Sequence, residues 1–251
     1  MAEREATSLD AILGGRLRLR QTRDGHRVGL DAILLAAAAG APVARLADVG
    51  AGVGAVGLAL LQRWPEATGD LVEIDPELAA LAEENVALNG LAPRARVAVA
   101  DALEPKSRRG AGLADEAADL VVTNPPYLAA AAAHVSPDPR RARAHVAGTG
   151  VAALADWAVA CLALLKPGGR FVMIQRADAL QALLPAFAGR LGDLALRPVH
   201  PRADAPAIRL LISGIKGSKA PLRVLPGLTL HEADGSAAPL AAAIQRGEAT
   251  L

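Results

Sequence analysis

Arg45-Leu46-Ala47-Asp48-Val49-Gly50-Ala51-Gly52-Val53-Gly54-Ala55-Val56-Gly57 decides the architecture of this chain. Residues 43–49 are short and apolar and read as a buried strand, and residues 54–63 read as a helix. The glycines between them permit a tight turn and a close backbone approach to a ligand at the helix N-terminus. Gly52 to Gly57 match G-x-G-x-x-G, the pattern of dinucleotide-binding βαβ units. Asp48 lies two residues before the first glycine, where a carboxylate would repel a pyrophosphate. It suits a ligand carrying an ammonium group, or it caps a turn.

Three further segments repeat this layout of a strand ending in a polar residue. Asp70-Leu71-Val72-Glu73-Ile74-Asp75 ends in two acids, and Pro76 opens the next helix at a position proline tolerates. An acid at Glu73 can accept hydrogen bonds from both hydroxyls of a ribose, and Asp75 can cap the helix. Ala95 to Val99 form another strand, after which Asp101 is placed to accept from an adenine amino group or to serve as a turn residue. Ala118-Asp119-Leu120-Val121-Val122-Thr123 then runs into Asn124-Pro125-Pro126-Tyr127. Two prolines cannot continue a strand, because neither has an N–H for the ladder. Asn124 is thereby left at a strand's carboxyl end, where open α/β sheets bind ligands. Its carboxamide oxygen and a backbone carbonyl of the rigid Pro-Pro segment are two acceptors suited to one planar –NH2 group. Tyr127, the only tyrosine, offers a flat face for stacking a planar substrate.

Asp-x-Gly-x-Gly-x-Gly, Glu-x-Asp, Asp and Asn-Pro-Pro-Tyr, in that order, resemble a class I S-adenosylmethionine-dependent methyltransferase. Leu165-Lys166-Pro167-Gly168-Gly169-Arg170-Phe171 is similar to the turn before the fifth strand of these enzymes. The resemblance runs from about residue 43 to 214. It implies an α/β, Rossmann-like fold: a mostly parallel seven-stranded sheet with the last strand reversed, helices on both faces, and an N-terminal β-hairpin extension. It implies an S-adenosylmethionine pocket built from Asp48, Gly50, Gly52, Gly54, Glu73, Ile74, Asp101, Ala102 and Asn124, with Asn124, Pro125, Pro126 and Tyr127 at the chemistry. The Asn-Pro-Pro-Tyr form resembles the subset that methylates planar nitrogens, namely exocyclic base amines and the glutamine side-chain amide.

The N-terminal region narrows the substrate. Leu13 to Gln21 alternate apolar and basic residues and read as a strand, Asp24-Gly25 is a hairpin turn signal, and His26 to Leu35 lead into a helix. Together with Ser136-Pro137-Asp138-Pro139 and Arg140 to His145, this string resembles the bacterial family that N6-methylates the adenine beside the anticodon of a valine tRNA. Residues 1–40 are therefore expected to form an extension and residues 41–251 the methyltransferase domain.

Length and composition agree with this organisation. With 251 residues and 52% apolar content, the chain can bury a full core. Net charge is only +1, but its distribution is uneven. Residues 140–223 hold thirteen Lys/Arg against four Asp/Glu, and residues 66–119 hold twelve acids against five bases. Arg16, Arg18 and Arg20, with Arg140, Arg141 and Arg143, are candidate contacts to tRNA phosphates. The alternative is that arginine is merely the preferred surface cation of this chain, which has 23 Arg and four Lys. A single cysteine, Cys161, reads as a small buried hydrophobe, and the lack of a Cys pair fits a reducing, cytoplasmic compartment. The five histidines show no metal-ligand spacing, so no metal is expected. The apolar run Ala32 to Ala44 is too short and too Gly/Pro-interrupted for a membrane span. Residues 104–117 and 129–149 read as mobile loops, and residues 221–230 as a segment along a sheet edge.

Four other functions compete with tRNA methylation, and one of them, a non-catalytic RNA-binding domain that retains cofactor affinity, is argued against by an intact Asn124. Glutamine N5-methylation of a release factor uses the same chemistry but has no need of the arginine clusters. DNA adenine methylation would call for a separate target-recognition domain. A nicotinamide-dependent oxidoreductase would account for Gly52 to Gly57 and leave Asn-Pro-Pro-Tyr unexplained.

Overall fold

The structure, a computed structural model, describes residues 7–23, 27–125 and 151–251. Strands β3 (Arg45–Val49), β4 (Thr68–Glu73), β5 (Ala95–Val99), β6 (Ala118–Thr123) and β7 (Leu165–Arg176) are parallel, in the spatial order β7-β6-β3-β4-β5. The chain then makes a hairpin of β8 (Leu191–His200) and β9 (Arg209–Lys216), and β9 inserts antiparallel beside β7. The seventh strand of this sheet in chain order is thus the reversed one, as expected, while two short strands further along the chain bring the sheet to nine strands in place of the expected seven. The order turns back between β3 and β6. Such a switch point opens a crevice at the strands' carboxyl ends.

Alternation along the strands supplies both faces of the sheet with apolar side chains. Leu120 and Val122 of β6 and Val172 and Ile174 of β7 join one core. It is completed by α1 (Leu30–Ala37), α2 (Ala55–Arg63) and α7 (Pro239–Gln245). Val121, Phe171 and Met173 point the other way, into a core with α5 (Val151–Leu164) and α6 (Leu180–Phe187). Phe171 and Phe187 meet there at 5.6 Å between ring centroids.

The hairpin is built from β1 (Thr7–Ile12) and β2 (Leu17–Thr22), joined by Leu13-Gly14-Gly15-Arg16. This corrects the expected strand over 13–21. Leu13, Gly14 and Gly15 all take positive φ, so the chain reverses there. The Asp24-Gly25 signal lies outside the described residues. Leu17 and Leu19 of β2 are fully buried in the same core as Leu34 and Leu46, so packing crosses residue 40. Two asparagines of α3 (Pro76–Leu88 with C-cap Asn89) hold the free edge of β2. Asn85 accepts from Arg20 N–H at 2.6 Å and donates to the Arg20 carbonyl at 2.9 Å. Asn89 does the same for Arg18 at 3.0 and 2.7 Å. Spaced one helical turn apart, the two carboxamides replace a third strand.

Residues 104–117 are not the loop that their Gly and charge content suggests. They contain α4 (Pro105–Gly110), and Arg108 is buried beneath them. Its guanidinium donates to the Ala102 carbonyl at 2.7 Å and to Asp115 at 3.3 Å. A charged residue thereby supplies the interior bonds that a short apolar-poor segment needs. The 129–149 segment lies outside the described residues. Near the C-terminus, β10 (Arg223–Val224) and β11 (Leu228–Thr229) pair with β8, placing residues 221–230 along a sheet edge as expected.

Candidate active site

The carboxyl ends of β3, β4, β5 and β6 bring together Asp48, Gly50, Gly52, Gly54, Glu73, Ile74, Asp101, Ala102 and Asn124. Backbone bonds fix the glycine-rich loop. Gly50 and Ala51 N–H donate to the Val72 carbonyl at 2.9 and 3.0 Å, and Gly54 N–H donates to the Ala51 carbonyl at 2.8 Å. Gly52 takes φ of +56°, and a Cβ built on it meets nothing within 4 Å. The loop therefore presents bare backbone to open space, which is what a close-lying ligand requires.

Glu73 holds this loop from the neighbouring strand. Its Oε2 accepts from Gly52 N–H at 2.8 Å, and its Oε1 accepts from Ile74 and Asp75 N–H at 2.8 and 2.9 Å. Burial raises its pKa, and the three amide bonds work against that rise. Ile74 is 46% exposed, an apolar side chain left uncovered next to a carboxylate. Asp75 caps α3, accepting from Glu77 N–H at 2.8 Å. Asp101 accepts from Leu103 N–H at 2.9 Å through Oδ1.

Asp48 binds the first turn of the helix that follows the loop. It is buried, and its Oδ2 accepts from Gly57 N–H at 2.7 Å, so it faces the first turn of α2 from below the loop. Burial pushes its carboxyl up to about 7, the Gly57 bond opposes this, and the Glu73 charge adds to it. A folded-state value above the ordinary 3.8 favours the protonated fold. The resulting stability is complete below 3.8 and is lost as pH rises through about 7. The melting temperature is therefore expected to fall between about pH 4 and pH 7 and to level off above that. Asp48→Asn, which keeps an acceptor for Gly57 but does not ionise, should flatten that fall. An unchanged pH profile in the variant would remove Asp48 as the source.

Asn124 follows the last residue of β6, and its Oδ1 is buried with no hydrogen-bond partner among the described residues. A buried carboxamide oxygen left unpaired costs about 1–3 kcal/mol, so such an atom calls for a donor. Pro125 beside it is buried. Pro126, Tyr127, Arg140, Arg141 and Arg143 lie outside the described residues. The hairpin arginines do not form a uniform basic stripe. Arg16 donates to the Gly247 carbonyl, Arg20 pairs with Glu84 at 3.0 Å, and Arg18 is exposed. A cavity of about 450 Å3 lies between the hairpin turn, α1, α2 and α7; of the predicted site residues it involves only Arg16.

Two residues that motif reading passes over join these parts. Asn85 is fully buried and, besides holding Arg20, donates to the Val53 carbonyl at 2.9 Å, tying the hairpin to the glycine-rich loop. Two asparagines four apart in a helix were the available signal, because asparagine is a poor interior helix former. Trp157 of α5 donates from Nε1 to Thr123 Oγ1 at 2.9 Å and lies against Gly50. No sequence pattern marks it. Cys161 is buried as expected, and burial pushes its thiol up to about 12, so it stays protonated.

A reversed seventh strand, a glycine-rich loop after β3, an acid at the end of β4 and an Asn-Pro after β6 define a Rossmann-like class I methyltransferase. The family model for the methyltransferase small domain matches residues 30–138. The chain is 34% identical over 175 residues to the tRNA1(Val) (adenine(37)-N6)-methyltransferase of Porphyromonas gingivalis, covering 67% of this chain and 66% of that protein, just under two thirds of its length. It is 34% identical over 194 residues to the enzyme of the same name from Erwinia tasmaniensis, covering 76% of each. A release factor glutamine methyltransferase of Cereibacter sphaeroides is 34% identical over 173 residues, covering 64% of this chain and 59% of that one. Among solved structures, a predicted O-methyltransferase of Agrobacterium tumefaciens superposes with a TM-score of 0.73 at 31% identity, over 88% of this chain and 98% of that one. The chain belongs to the methyltransferase family that contains the tRNA1(Val) (adenine(37)-N6)-methyltransferases. No described helix is long and apolar enough to cross a membrane. Among the described residues, no cluster of His, Cys, Asp or Glu is arranged to hold a metal.

Proposed function

We propose that this protein transfers a methyl group from S-adenosylmethionine to the exocyclic N6 amine of an adenine in tRNA, next to the anticodon of a valine tRNA. The unpaired, buried Oδ1 of Asn124 carries the reading, because it is an acceptor in need of an N–H at the edge where the glycine-rich loop opens. The names of the relatives from Porphyromonas and Erwinia supply the base and the RNA.

The residues around the loop fit S-adenosylmethionine. Gly52 leaves room for a ligand against the backbone, with Gly50 and Gly54 framing the turn. Glu73 has used three of its roughly four acceptor positions, which leaves one for a ribose hydroxyl. Ile74 covers the flat face of the adenine, while Asp101 Oδ2 accepts from its amino group and the Ala102 backbone takes the ring edge. Asp48 acts on the ammonium end from below the loop, through space and by shaping the turn. When bound, S-adenosylmethionine supplies an electrophilic methyl group on a positively charged sulfur.

The chain's own contribution is to hold the target amine in line with that methyl and to stabilise the charge it gains. An adenine amine is a weak nucleophile, because its lone pair is delocalised into the ring. Acceptance of its two N–H bonds by Asn124 Oδ1 and the Pro125 carbonyl favours a tetrahedral, positively charged nitrogen over the planar one. The methylated nitrogen is strongly acidic and loses its proton to solvent, so no dedicated base is required. Tyr127 stacks the base, which leaves its own stack most cheaply in a loop. Arg18, an exposed arginine of the hairpin, and the arginines of 140–143 bind phosphates; tRNA is the partner proposed, with no membrane and no DNA. No metal enters this chemistry, and the product is S-adenosylhomocysteine.

Glutamine methylation is the second reading, favoured by the Cereibacter relative, since a glutamine amide also presents a planar –NH2 to Asn124. Hydroxyl methylation would need a base to take the proton, and Asn124 cannot serve as one. Nucleoside mass analysis of tRNA incubated with the protein and S-adenosylmethionine decides between them. N6-methyladenosine in valine tRNA is expected. Unmodified tRNA together with methylated glutamine in a release factor would establish the second reading.

A further inference from the structure

We propose that Trp157 is a positioning residue that sets the distance between the glycine-rich loop after β3 and Asn124 after β6. The inference rests on the reading of that edge as the methyl-transfer site.

The indole spans the two chain segments that must be registered for transfer. One end of the ring lies over the first glycine of the loop: a Cβ built on Gly50 would sit 3.0 Å from Cζ2 and 3.3 Å from Cη2 of Trp157. Gly50 is at φ of +74°, so a glycine there gives the loop its turn and the ring its seat. The other end, Nε1–H, donates to Thr123 Oγ1 at 2.9 Å. Thr123 is fully buried and immediately precedes Asn124. Its hydroxyl in turn donates to the Val49 carbonyl at 2.8 Å, the residue that immediately precedes Gly50. The chain of contacts therefore closes a ring: Gly50, Trp157, Thr123, Val49 and back to Gly50. The donor-side loop and the acceptor-side asparagine both leave their strands from this ring.

Packing alone does not account for the arrangement. Phenylalanine would fill the same apolar seat, but only an indole also brings a donor to the Thr123 hydroxyl. The loop's own bonds to Val72 and Glu73 are independent of Trp157, so loss of the indole N–H should leave the loop formed. What it should lose is the placement of Asn124, and a displacement of about 1 Å at a reacting centre can cost on the order of 100-fold in rate. The expected signature is a kcat defect with little change in cofactor affinity.

The test uses the full chain carrying Trp64→Phe, which leaves Trp157 as its single tryptophan. S-adenosylhomocysteine is first titrated while indole emission is followed. Emission should change with saturation, because the ring touches the loop; no change at a concentration where calorimetry shows full binding would overturn the proposal. Trp157→Phe, Thr123→Val and Thr123→Ser are then compared with wild type on whichever acceptor wild type methylates, tRNA or a glutamine-bearing release factor. Trp157→Phe and Thr123→Val are expected to lose about 10- to 100-fold in kcat. Thr123→Ser, which keeps the hydroxyl, should recover most of it, with affinity for S-adenosylhomocysteine and KM for the acceptor nearly unchanged in all three. Wild-type kcat in Trp157→Phe, or equal losses in Thr123→Ser and Thr123→Val, would refute the role. If wild type methylates glutamine and not tRNA, the proposed substrate fails, while the comparison of variants still judges Trp157.

Discussion

Asn124→Ala is expected to lower kcat on the order of 10²–10³, the loss typical of removing one group that stabilises developing charge. Affinity for S-adenosylhomocysteine should barely change, because the loop and the acids of β4 and β5 hold their bonds without Asn124. The split follows from where the orphaned acceptor sits. Oδ1 is buried and unpartnered among the described residues, so it contributes little to the fold, and its removal relieves an unpaired polar atom. A variant as stable as wild type, or slightly more so, with cofactor binding intact and turnover nearly abolished, is the outcome that fits. Asn124→Asp should retain part of the activity. It keeps acceptors for the amine, but adds a charge that draws the sulfonium in the ground state and disturbs alignment. Single-turnover kinetics with calorimetry on the same preparations reads both quantities. Full activity in Asn124→Ala would refute the assignment of the site.

The parts of this site that were legible in the sequence are those in which one residue type answers a local backbone demand. Glycines mark the turn after β3, prolines mark the end of β6, and Pro76 after Asp75 marks a capped helix; each was found where its motif placed it. The contacts that motif reading passed over are the long-range ones. Arg108 turned a segment that reads as a loop into an ordered element, through bonds to Ala102 and Asp115 that local charge content cannot announce. The hairpin turn fell at Gly14-Gly15 because Leu17 and Leu19 take the buried face and Asn85 and Asn89 take the edge. The register is decided by α3, some seventy residues away in sequence. Asp48 shows the same limit in another form. The spacing to the first glycine predicts a carboxylate near a ligand or capping a turn; the packing of α2 onto β3 adds what spacing does not show, the bond from Gly57 N–H and the raised pKa.

Glu73→Gln is expected to weaken binding of S-adenosylmethionine and S-adenosylhomocysteine by about 1.5–3 kcal/mol, the usual range for hydrogen bonds to a charged group. That corresponds to roughly 10- to 150-fold in Kd. The substitution preserves size, so the effect comes from chemistry. The carboxylate presents acceptors in two directions: Oε2 toward Gly52 N–H at 2.8 Å, and Oε1 toward Ile74 and Asp75 N–H at 2.8 and 2.9 Å. A carboxamide has one acceptor and one donor group. Turned one way, its NH2 confronts Gly52 N–H and releases the glycine-rich loop. Turned the other way, it confronts the Ile74 and Asp75 amides at the start of α3. Either orientation sets donor against donor in a largely buried place and weakens the acceptor proposed for the ribose. The fold should tolerate this better than the ligand does, since Gly50 and Ala51 still hold Val72 and Asp75 still caps α3. Calorimetric titration should therefore show a large loss in Kd beside a modest fall in melting temperature. Affinity within about twofold of wild type, a difference of only ~0.4 kcal/mol, would mean that the loop is positioned by its backbone bonds alone and that Glu73 does not face the ligand.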